Sequence, residues 1–247
     1  MLGRFACAGI AFIIFDSMLV LALDTTTRTG SCALARDGHA IRELAGNPGP
    51  SHAEHLPGDL MRLLEAERVA LDSVDVFAVA TGPGSFTGMR VGIATMQGLA
   101  FAMGKPLVGV SGLEALARIG LAQAPEAHVA TWVDAWRGEV YAALYHDGRE
   151  AESPTVEHPT TVLERHRHRD RVLFIGDGAR TFERLIHETL GVRASMAASV
   201  SPLLAGTIAR MASDVIASGA RPAAGTIRPL YVRRTDAELA RDARTHQ

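Results

Sequence analysis

Cysteine is scarce in this chain. Two cysteines, Cys7 and Cys32, occur among its 247 residues. They match neither a disulfide framework nor the spacing of a metal site. A chain without such a framework suits a reducing cytosol, so we expect a cytoplasmic protein.

A strong net charge is also missing, since 25 Lys and Arg residues nearly balance 27 Asp and Glu residues. The resulting charge of -2 argues against a protein that wraps nucleic acid by bulk electrostatics, although a local basic patch stays compatible with it. Hydrophobic residues make up 47% of the chain, as in a globular protein with a packed core. The length allows one domain or two small lobes.

The N-terminus carries a long apolar run, from Phe5 to Phe15. It is shorter than the roughly 20 residues that span a bilayer. Asp16 interrupts it without a clean cleavage site, so we expect no membrane partner. Met18 then opens the segment MLVLALDTT, which is typical of a first strand. We interpret residues 1–17 as an extension from a mis-assigned start codon. An ordered extra element and a targeting segment are the alternatives.

Hydrophobic patterning predicts short strands that alternate with helices. Strands are expected at residues 19–23, 31–36, 39–44, 74–80, 107–110, 128–134, 139–146 and 171–175, and helices at 51–67, 86–103, 113–123, 181–190 and 202–218. This order predicts two α/β lobes, at residues 18–125 and 126–247.

The most informative segment is TGPGSFTGMRVG, residues 81–92. Gly82 and Gly84 let the chain turn sharply after a strand. The loop then delivers backbone N–H groups near Ser85 to a helix N-terminus, where anions bind readily. It is neither a Walker loop nor the dinucleotide-binding glycine pattern. A tight strand-to-helix connection explains it equally well.

The helix behind this loop carries small residues on one face, because Gly88, Gly92 and Thr95 follow at i, i+4 and i+7. Such a stripe lets another helix approach closely. We predict a partner interface here, with Phe86 and Arg90 beside it. Packing against the protein's own sheet is the alternative.

Several polar residues are candidates for ligand binding. Asp24, followed by Thr25, stands at the end of the first strand, where a carboxylate could hold magnesium near phosphates, although turn capping explains it better. His52 and His55 lack an evident third metal ligand, which favours a solvated helix face.

Two further clusters lie in the second half of the chain. One surrounds a strand turn and could bind a polar ligand or form an ion-paired hairpin; it consists of Asp134, Arg137, Glu139 and Tyr141. The other is the basic run from Arg165 to Arg169. A solvated loop is its simplest interpretation, with RNA contact as the alternative.

Four segments together resemble the TsaB family, also called YeaZ. They are LALDTTTRTGSCAL, ATGPGSFTGMRVGIATMQGLA, WVDAWRGEVYAALY and RPLYVRR. The second is the most specific, and the resemblance covers about residues 18–235. It implies an α/β fold of two related lobes, of the actin/sugar-kinase/Hsp70-like (RNase H-like) type.

The resemblance also implies a function. TsaB is the non-catalytic subunit of the machinery that adds threonylcarbamoyl to adenosine 37 of transfer RNA. The implied partners are the catalytic paralogue TsaD and the ATPase TsaE, with transfer RNA contacted indirectly and a homodimer formed when the chain is alone. No intrinsic cofactor is implied, and ATP or ADP with magnesium would bind only within the complex.

This sequence departs from the catalytic paralogue in its metal motif. TsaD-type enzymes carry His-x-x-x-His, whereas His52 and His55 have the wrong spacing. Asp24 and the turn containing Gly176 and Gly178 resemble the phosphate loops of the fold, and we interpret them as degenerate remnants. An ATP-binding phosphotransferase and a glycoprotease-like metallopeptidase are the alternative functions.

Overall fold

The computed structural model describes residues 17–46 and 52–233. Most of the predicted N-terminal extension therefore lies outside the described residues. The strands are β1 (Leu19–Asp24), β2 (Ser31–Arg36), β3 (His39–Ala45), β4 (Val76–Gly82), β5 (Leu107–Ser111), β6 (His128–Asp134), β7 (Val140–His146), β8 (Arg149–Glu157), β9 (Val172–Ile175) and β10 (Ala194–Met196). The helices are α1 (His52–Ala66), α2 (Phe86–Met103), α3 (Gly112–Gln123), α4 (Pro159–His166), α5 (Asp177–Thr181), α6 (Glu183–Leu190) and α7 (Ala205–Ala217).

The two sheets have the same topology. The first has the strand order β3-β2-β1-β4-β5, and the second has the order β8-β7-β6-β9-β10. In each sheet three consecutive strands pair antiparallel, and the first of them pairs parallel to a later strand. The expectation of two related α/β lobes is confirmed at the level of the fold.

Alternation along β1 shows how the sequence builds the layers. Leu21 and Leu23 face a core shared with α1 and α2, while Val20 and Ala22 face a second core between the sheets. Successive side chains point to opposite faces of a strand, so a strand buried on both sides reads as a continuous apolar run. A third core covers the outer face of the second sheet around Trp132.

Two helices exchange places between the lobes. α3 packs mainly on β6 of the second sheet, whereas α7 packs across β1, β2, β3 and β4 of the first sheet. The predicted second lobe, residues 126–247, thus contains a helix that belongs to the core of the first sheet. Because α3 and α7 both lie between the two sheets, the buried residues there form one continuous hydrophobic core.

Side chains of the first sheet anchor the N-terminus of α7. The Ser31 Oγ accepts hydrogen bonds from the Leu204 and Ala205 amides, at 3.2 and 3.0 Å. The Glu43 carboxylate accepts one from the Gly206 amide at 2.8 Å. The first amides of a helix have no intrahelical partner, so these contacts replace a local cap with partners from another element.

Predicted and observed elements agree best where apolar patterning is strong. The bounds predicted for α2 and β6 match the observed ones. β8, α4 and β10 were not predicted, because β8 carries many polar residues and the other two are short. No helix among the described residues is both long and apolar enough to cross a bilayer.

We expect Ser31→Ala to destabilise the protein by about 1–3 kcal/mol, because two buried amides lose their acceptor. Urea unfolding measures the change. Ser153→Ala is the matched control, since Ser153 donates to Glu150 in an exposed hairpin. Equal free energies of unfolding for the two variants would show that the Ser31 bonds do not anchor α7.

Candidate functional site

The four segments that carry the resemblance meet at one place between the lobes. A cavity of about 300 Å³ lies there; we call it the interlobe cavity. It is lined by Pro83, Gly84, Phe86, Met89, Ala135, Trp136, Arg137, Tyr141, Leu230, Tyr231, Val232 and Arg233. The first segment reaches its rim, since the Arg28 guanidinium carbon lies 5.8 Å from the Trp136 ring centroid.

Asp24 is buried and closes its own turn. One carboxylate oxygen accepts from the Thr26 amide at 2.8 Å and from the Thr26 hydroxyl at 2.6 Å. The other accepts from the Thr27 hydroxyl at 2.6 Å. A hydrated magnesium ion needs carboxylate oxygens that face an open site. The Asp24 carboxylate is turned into the loop, so its surroundings fit a turn cap and do not fit magnesium.

The loop at Gly84 and Ser85 packs against the same turn. A Cβ on Gly84 would clash with the Thr26 carbonyl. The Ser85 amide donates to that carbonyl oxygen at 2.9 Å, and the Ser85 Oγ accepts from the Gly88 amide at 3.2 Å. Two of the amides expected to face an anion are therefore bonded within the chain. Gly82 adopts a φ of 106°, which a residue with a side chain rarely allows.

The chain itself occupies the positions at Gly88 and Gly92 where a partner interface is predicted. Both are buried, and a Cβ on either would clash with Thr25 of the same chain. The Thr25 hydroxyl donates to the Gly88 carbonyl at 2.7 Å. The glycines therefore make room for the turn after β1. Thr95 is half-buried, whereas Phe86 and Arg90 are exposed.

Phe86 and the C-terminal segment form one wall of the interlobe cavity, and Arg90 lies beside them. The Arg90 guanidinium carbon lies 3.9 Å from the centroid of the Phe86 ring. The Arg90 Nε donates to the Tyr231 hydroxyl at 2.8 Å, and the ring centroids of Phe86 and Tyr231 are 5.5 Å apart. The Leu230 amide donates to the Thr81 carbonyl at 2.7 Å, which fixes the segment along the cavity.

The turn between β6 and β7 forms the opposite wall. The Trp136 amide donates to the Asp134 carboxylate at 2.8 Å, and the Glu139 amide donates to the Trp136 carbonyl at 3.1 Å. Trp136 and Arg137 both adopt left-handed backbone angles, with φ values of 60° and 55°. The turn is held by its own bonds and presents a half-exposed indole to the cavity.

The predicted polar cluster is brought together in part. Arg137 and Tyr141 line the cavity, and Glu139 forms an ion pair with Arg233. The Arg233 guanidinium also lies 5.8 Å from the Tyr141 ring centroid. Burial raises the pKa of the Tyr141 hydroxyl, which keeps that group neutral. Asp134 points back to its own turn.

Asp177 ties this turn to the predicted second phosphate loop. Its carboxylate accepts from the Asp134 amide at 2.9 Å. Burial raises the pKa of this carboxyl, although the hydrogen bond opposes the shift. A Cβ on Gly176 would clash with the Trp132 carbonyl, and one on Gly178 would meet the backbone of Val133. These glycines therefore serve close packing between β9, α5 and β6.

The basic run is neutralised by glutamates of its own lobe. Arg165 pairs with Glu157 at 2.5 Å, Arg167 with Glu164 at 2.7 Å and Arg169 with Glu152 at 2.7 Å. His166 is buried, which lowers the pKa of its imidazole to about 4. The solvated loop expected here is wrong for Arg165 and His166, which lie in the last turn of α4. RNA contact by this run stays a prediction.

Metal ligands are not grouped in the part of the chain that the structure describes. Among residues 17–46 and 52–233, no three His, Cys, Asp or Glu side chains are placed to hold an ion. His55 is exposed on α1, as the solvated interpretation requires. Cys32 is buried, and burial raises the pKa of its thiol to about 11.

Sequence reasoning missed three residues of this site. Trp136, Tyr231 and Arg233 stood within two of the four segments but were not singled out. Their signal was the aromatic and arginine content of WRGEVY and RPLYVRR. Spacing along the chain could not show that these segments face each other across the cavity.

Comparisons of sequence show which proteins this chain is similar to. A family model described as "TsaD: tRNA N6-adenosine threonylcarbamoyltransferase" matches residues 48–239. The tRNA threonylcarbamoyladenosine biosynthesis protein TsaB of Bacillus subtilis is 30% identical over 71% of this chain and 78% of its own length. The protein of the same name from Escherichia coli is 35% identical over 52% of this chain and 55% of its own length.

Some matched regions are shorter than the relatives. The alignment spans 40% of the length of an uncharacterized protein of Mycobacterium leprae that is 40% identical over 58% of this chain. The chain thus covers about half the length of several curated relatives that it matches.

Solved structures agree with the fold. YeaZ from Pseudomonas aeruginosa has a TM-score of 0.67 and 33% identity, and covers 87% of this chain and 99% of its own. A polyphosphate/ATP-glucomannokinase from Arthrobacter has a TM-score of 0.50 at 11% identity, over 82% of this chain and 100% of its own, and shows likeness of fold alone. The predicted two-lobed actin/sugar-kinase-like fold is confirmed.

We expect Gly92→Ala to lower the free energy of unfolding by about 1–3 kcal/mol, because the new methyl group overpacks against Thr25. Gly98→Ala on the same helix is the control, since open space surrounds the Cβ position there. That variant should gain up to about 1 kcal/mol from helix propensity. Thermal or urea unfolding compares them, and a Gly92→Ala variant as stable as the unmodified chain would show that Gly92 is not packed tightly against Thr25.

Proposed function

The chain belongs to the TsaB (YeaZ) family, and from this premise we propose that it is a non-catalytic dimerisation subunit in the synthesis of threonylcarbamoyladenosine in transfer RNA. In this role it binds the catalytic paralogue TsaD, keeps it active and works with the ATPase TsaE. Relatives named tRNA threonylcarbamoyladenosine biosynthesis protein TsaB support the pathway. Transfer RNA is reached through the complex.

The composition of α2 carries this proposal. Its 18 residues include one charged residue, Arg90. A helix that is hydrophobic all round is normally buried on every side. One side of α2 packs on the first sheet through Met89, Ile93 and Met96. The opposite side is exposed, so another protein surface is needed to cover it.

The exposed side has the shape of a helix-docking surface. Ala94, Gly98, Phe101 and Ala102 are exposed there, and we call them the outward face of α2. Phe101 is 85% exposed, which is unfavourable for a large apolar side chain in water. Small residues beside it let a partner helix approach closely, and a bulky anchor among them suits an interface hot spot.

Helix α1 widens this surface. α1 packs beside α2, and its Met61 is 49% exposed. Methionine adapts its shape to different partners. The pair α1–α2 therefore offers one surface to TsaD and, when TsaD is absent, to a second copy of this chain.

The turned-in phosphate loops support a non-catalytic role. The Asp24 carboxylate accepts hydrogen bonds from Thr26 and Thr27, and the Thr26 carbonyl lies directly against Gly84. A phosphotransferase needs such groups to face phosphates and magnesium. On this proposal, the ATP or ADP and magnesium of the pathway bind to other subunits of the complex.

We expect Phe101→Ser and Gly98→Leu to weaken association with TsaD by roughly tenfold or more. Phe101→Ser removes an interface anchor, which typically costs about 2 kcal/mol. Gly98→Leu places a bulky side chain where a partner helix would approach closely. Phe101 is 85% exposed and open space surrounds the Cβ position of Gly98, so the melting temperature should not fall. Co-purification and calorimetric titration with TsaD measure the effect.

The matched control for these variants is Val192→Ser, which removes an exposed apolar side chain from the second lobe. It should bind TsaD normally. Normal association of folded Phe101→Ser and Gly98→Leu variants would contradict the docking surface.

We also expect the isolated chain to form no threonylcarbamoyladenosine from threonylcarbamoyl-adenylate and transfer RNA, and the reconstituted complex to form it. Nucleoside analysis by chromatography measures the product. A rate from the isolated chain equal to that of the complex would refute the scaffold function.

A further inference from the structure

Two histidines lie against each other at one end of the second sheet. The rings of His128 and His146 are stacked, with centroids 4.2 Å apart and an interplanar angle of 8°. His128 begins β6 and His146 ends β7, and the register that pairs Val129 with Tyr145 places the two histidines opposite each other. We call this pair the histidine stack. It closes the end of the β6–β7 ladder that lies away from the Trp136 turn.

His146 has an oxygen atom near each of its ring nitrogens. Its Nδ1 lies 3.4 Å from the Ala127 carbonyl oxygen, and its Nε2 lies 3.6 Å from a carboxylate oxygen of Asp147. A charged imidazole carries an N–H group at both nitrogens, and each of them would face an oxygen here. One proton can therefore be held at His146 while the stack stays intact.

A second proton in the stack is opposed by its surroundings. His128 is half-buried, and burial together with the positive charges of His146 and Arg169 lowers the pKa of its imidazole. Two like charges at the separation of the stacked rings repel each other. The doubly charged stack is therefore unfavourable in the folded chain.

The carboxylates that face the stack offset this repulsion only in part. Asp147 comes from the β7–β8 turn and Glu152 comes from β8. Glu152 already pairs with Arg169 at 2.7 Å. The Asp147 side chain is 74% exposed, so solvent and salt screen its charge.

Two further elements pack around the stack without adding a compensating charge. Val172 of β9 pairs with His128 in the sheet. His166, in the last turn of α4, is buried, which lowers the pKa of its imidazole to about 4. It therefore stays neutral under mildly acidic conditions.

We propose that the histidine stack is a pH-sensitive switch of the second lobe: it holds the end of the β6–β7 ladder closed while at most one ring is charged, and it opens when both rings are charged. Histidine is the side chain whose charge changes nearest to physiological pH, so mild acid operates the switch. The proposal concerns the second lobe alone and does not depend on the scaffold function, so either can fail alone.

The direction of the pH effect follows from the two states of His128. An unfolded histidine takes up a proton near pH 6.5, whereas the pKa of folded His128 is lower. The unfolded chain therefore binds more protons below this pH, and stability that is complete above it is lost as the pH falls. Buried His166 acts in the same direction, so only variants of the stack can assign the effect to the stack.

Urea unfolding of the full chain between about pH 7.5 and 5 tests the switch. The two tryptophans, Trp132 and Trp136, lie on β6 and in the turn after it, so their fluorescence reports the second sheet. Each additional proton on the unfolded chain raises the unfolding constant by about tenfold per pH unit. His146→Phe keeps a ring against His128 but carries no charge, so it should reduce this rise by roughly two- to tenfold per pH unit.

The matched control is His187→Phe, which removes an exposed histidine on α6 of the same lobe. It should leave the pH dependence as it is in the unmodified chain. The effects of His128→Phe and His146→Phe should not add in the double variant, because either change alone removes the repulsion between the rings.

Two further measurements follow the switch in the folded chain. In proton NMR, the His128 imidazole should titrate at a higher pH in His146→Phe than in the unmodified chain, because a neighbouring charge is gone. In hydrogen exchange, β6 and β7 should lose protection relative to β1 and β4 when the pH falls from about 7 to 5.

Three results would overturn the proposal: equal pH dependence of the His146→Phe variant and the unmodified chain, additive effects of the two substitutions, or a loss of protection spread equally over both sheets. If His146→Phe does not fold, the pH dependence of His128→Phe and the hydrogen exchange of the unmodified chain decide.

Discussion

The contact of Thr25 with Gly88 and Gly92 is the constraint on which the other features of the first lobe depend. Because Gly88 and Gly92 lack side chains, the turn after β1 packs directly against α2, and the Thr25 hydroxyl donates a hydrogen bond to the Gly88 carbonyl. The same approach brings the Thr26 carbonyl to the loop at Gly84. The glycines thus turn one side of α2 inward and leave the opposite side to solvent.

The sequence predicted the position of α2 better than its orientation. Ser85 caps the helix and Gly104 ends it in a left-handed conformation, and both signals are local. The glycine stripe is ambiguous, because a close neighbour is needed whether it comes from another protein or from the same chain. Thr25 lies far away in sequence, so only the folded chain shows which neighbour is present.

Contacts between residues distant in sequence were also what the sequence could not predict at the interlobe cavity. Each wall of the interlobe cavity was visible as a motif, but the pairing of Arg90 with Tyr231 and of Glu139 with Arg233 joins residues from distant segments. The lobes were predictable from the alternation of strands and helices. The exchange of α3 and α7 was not, because both helices are apolar enough to pack on either sheet.

Packing of the phosphate-like loops connects the fold with the proposed role. In a two-lobed enzyme of this type the loops must keep polar groups open toward a ligand. Here the carboxylates of Asp24 and Asp177 accept hydrogen bonds from neighbouring backbone amides and, for Asp24, from threonine hydroxyls. These bonds close each loop within its own lobe. In the proposed role, the uncovered apolar helix α2 binds another protein, and the closed loops leave the chemistry to that partner.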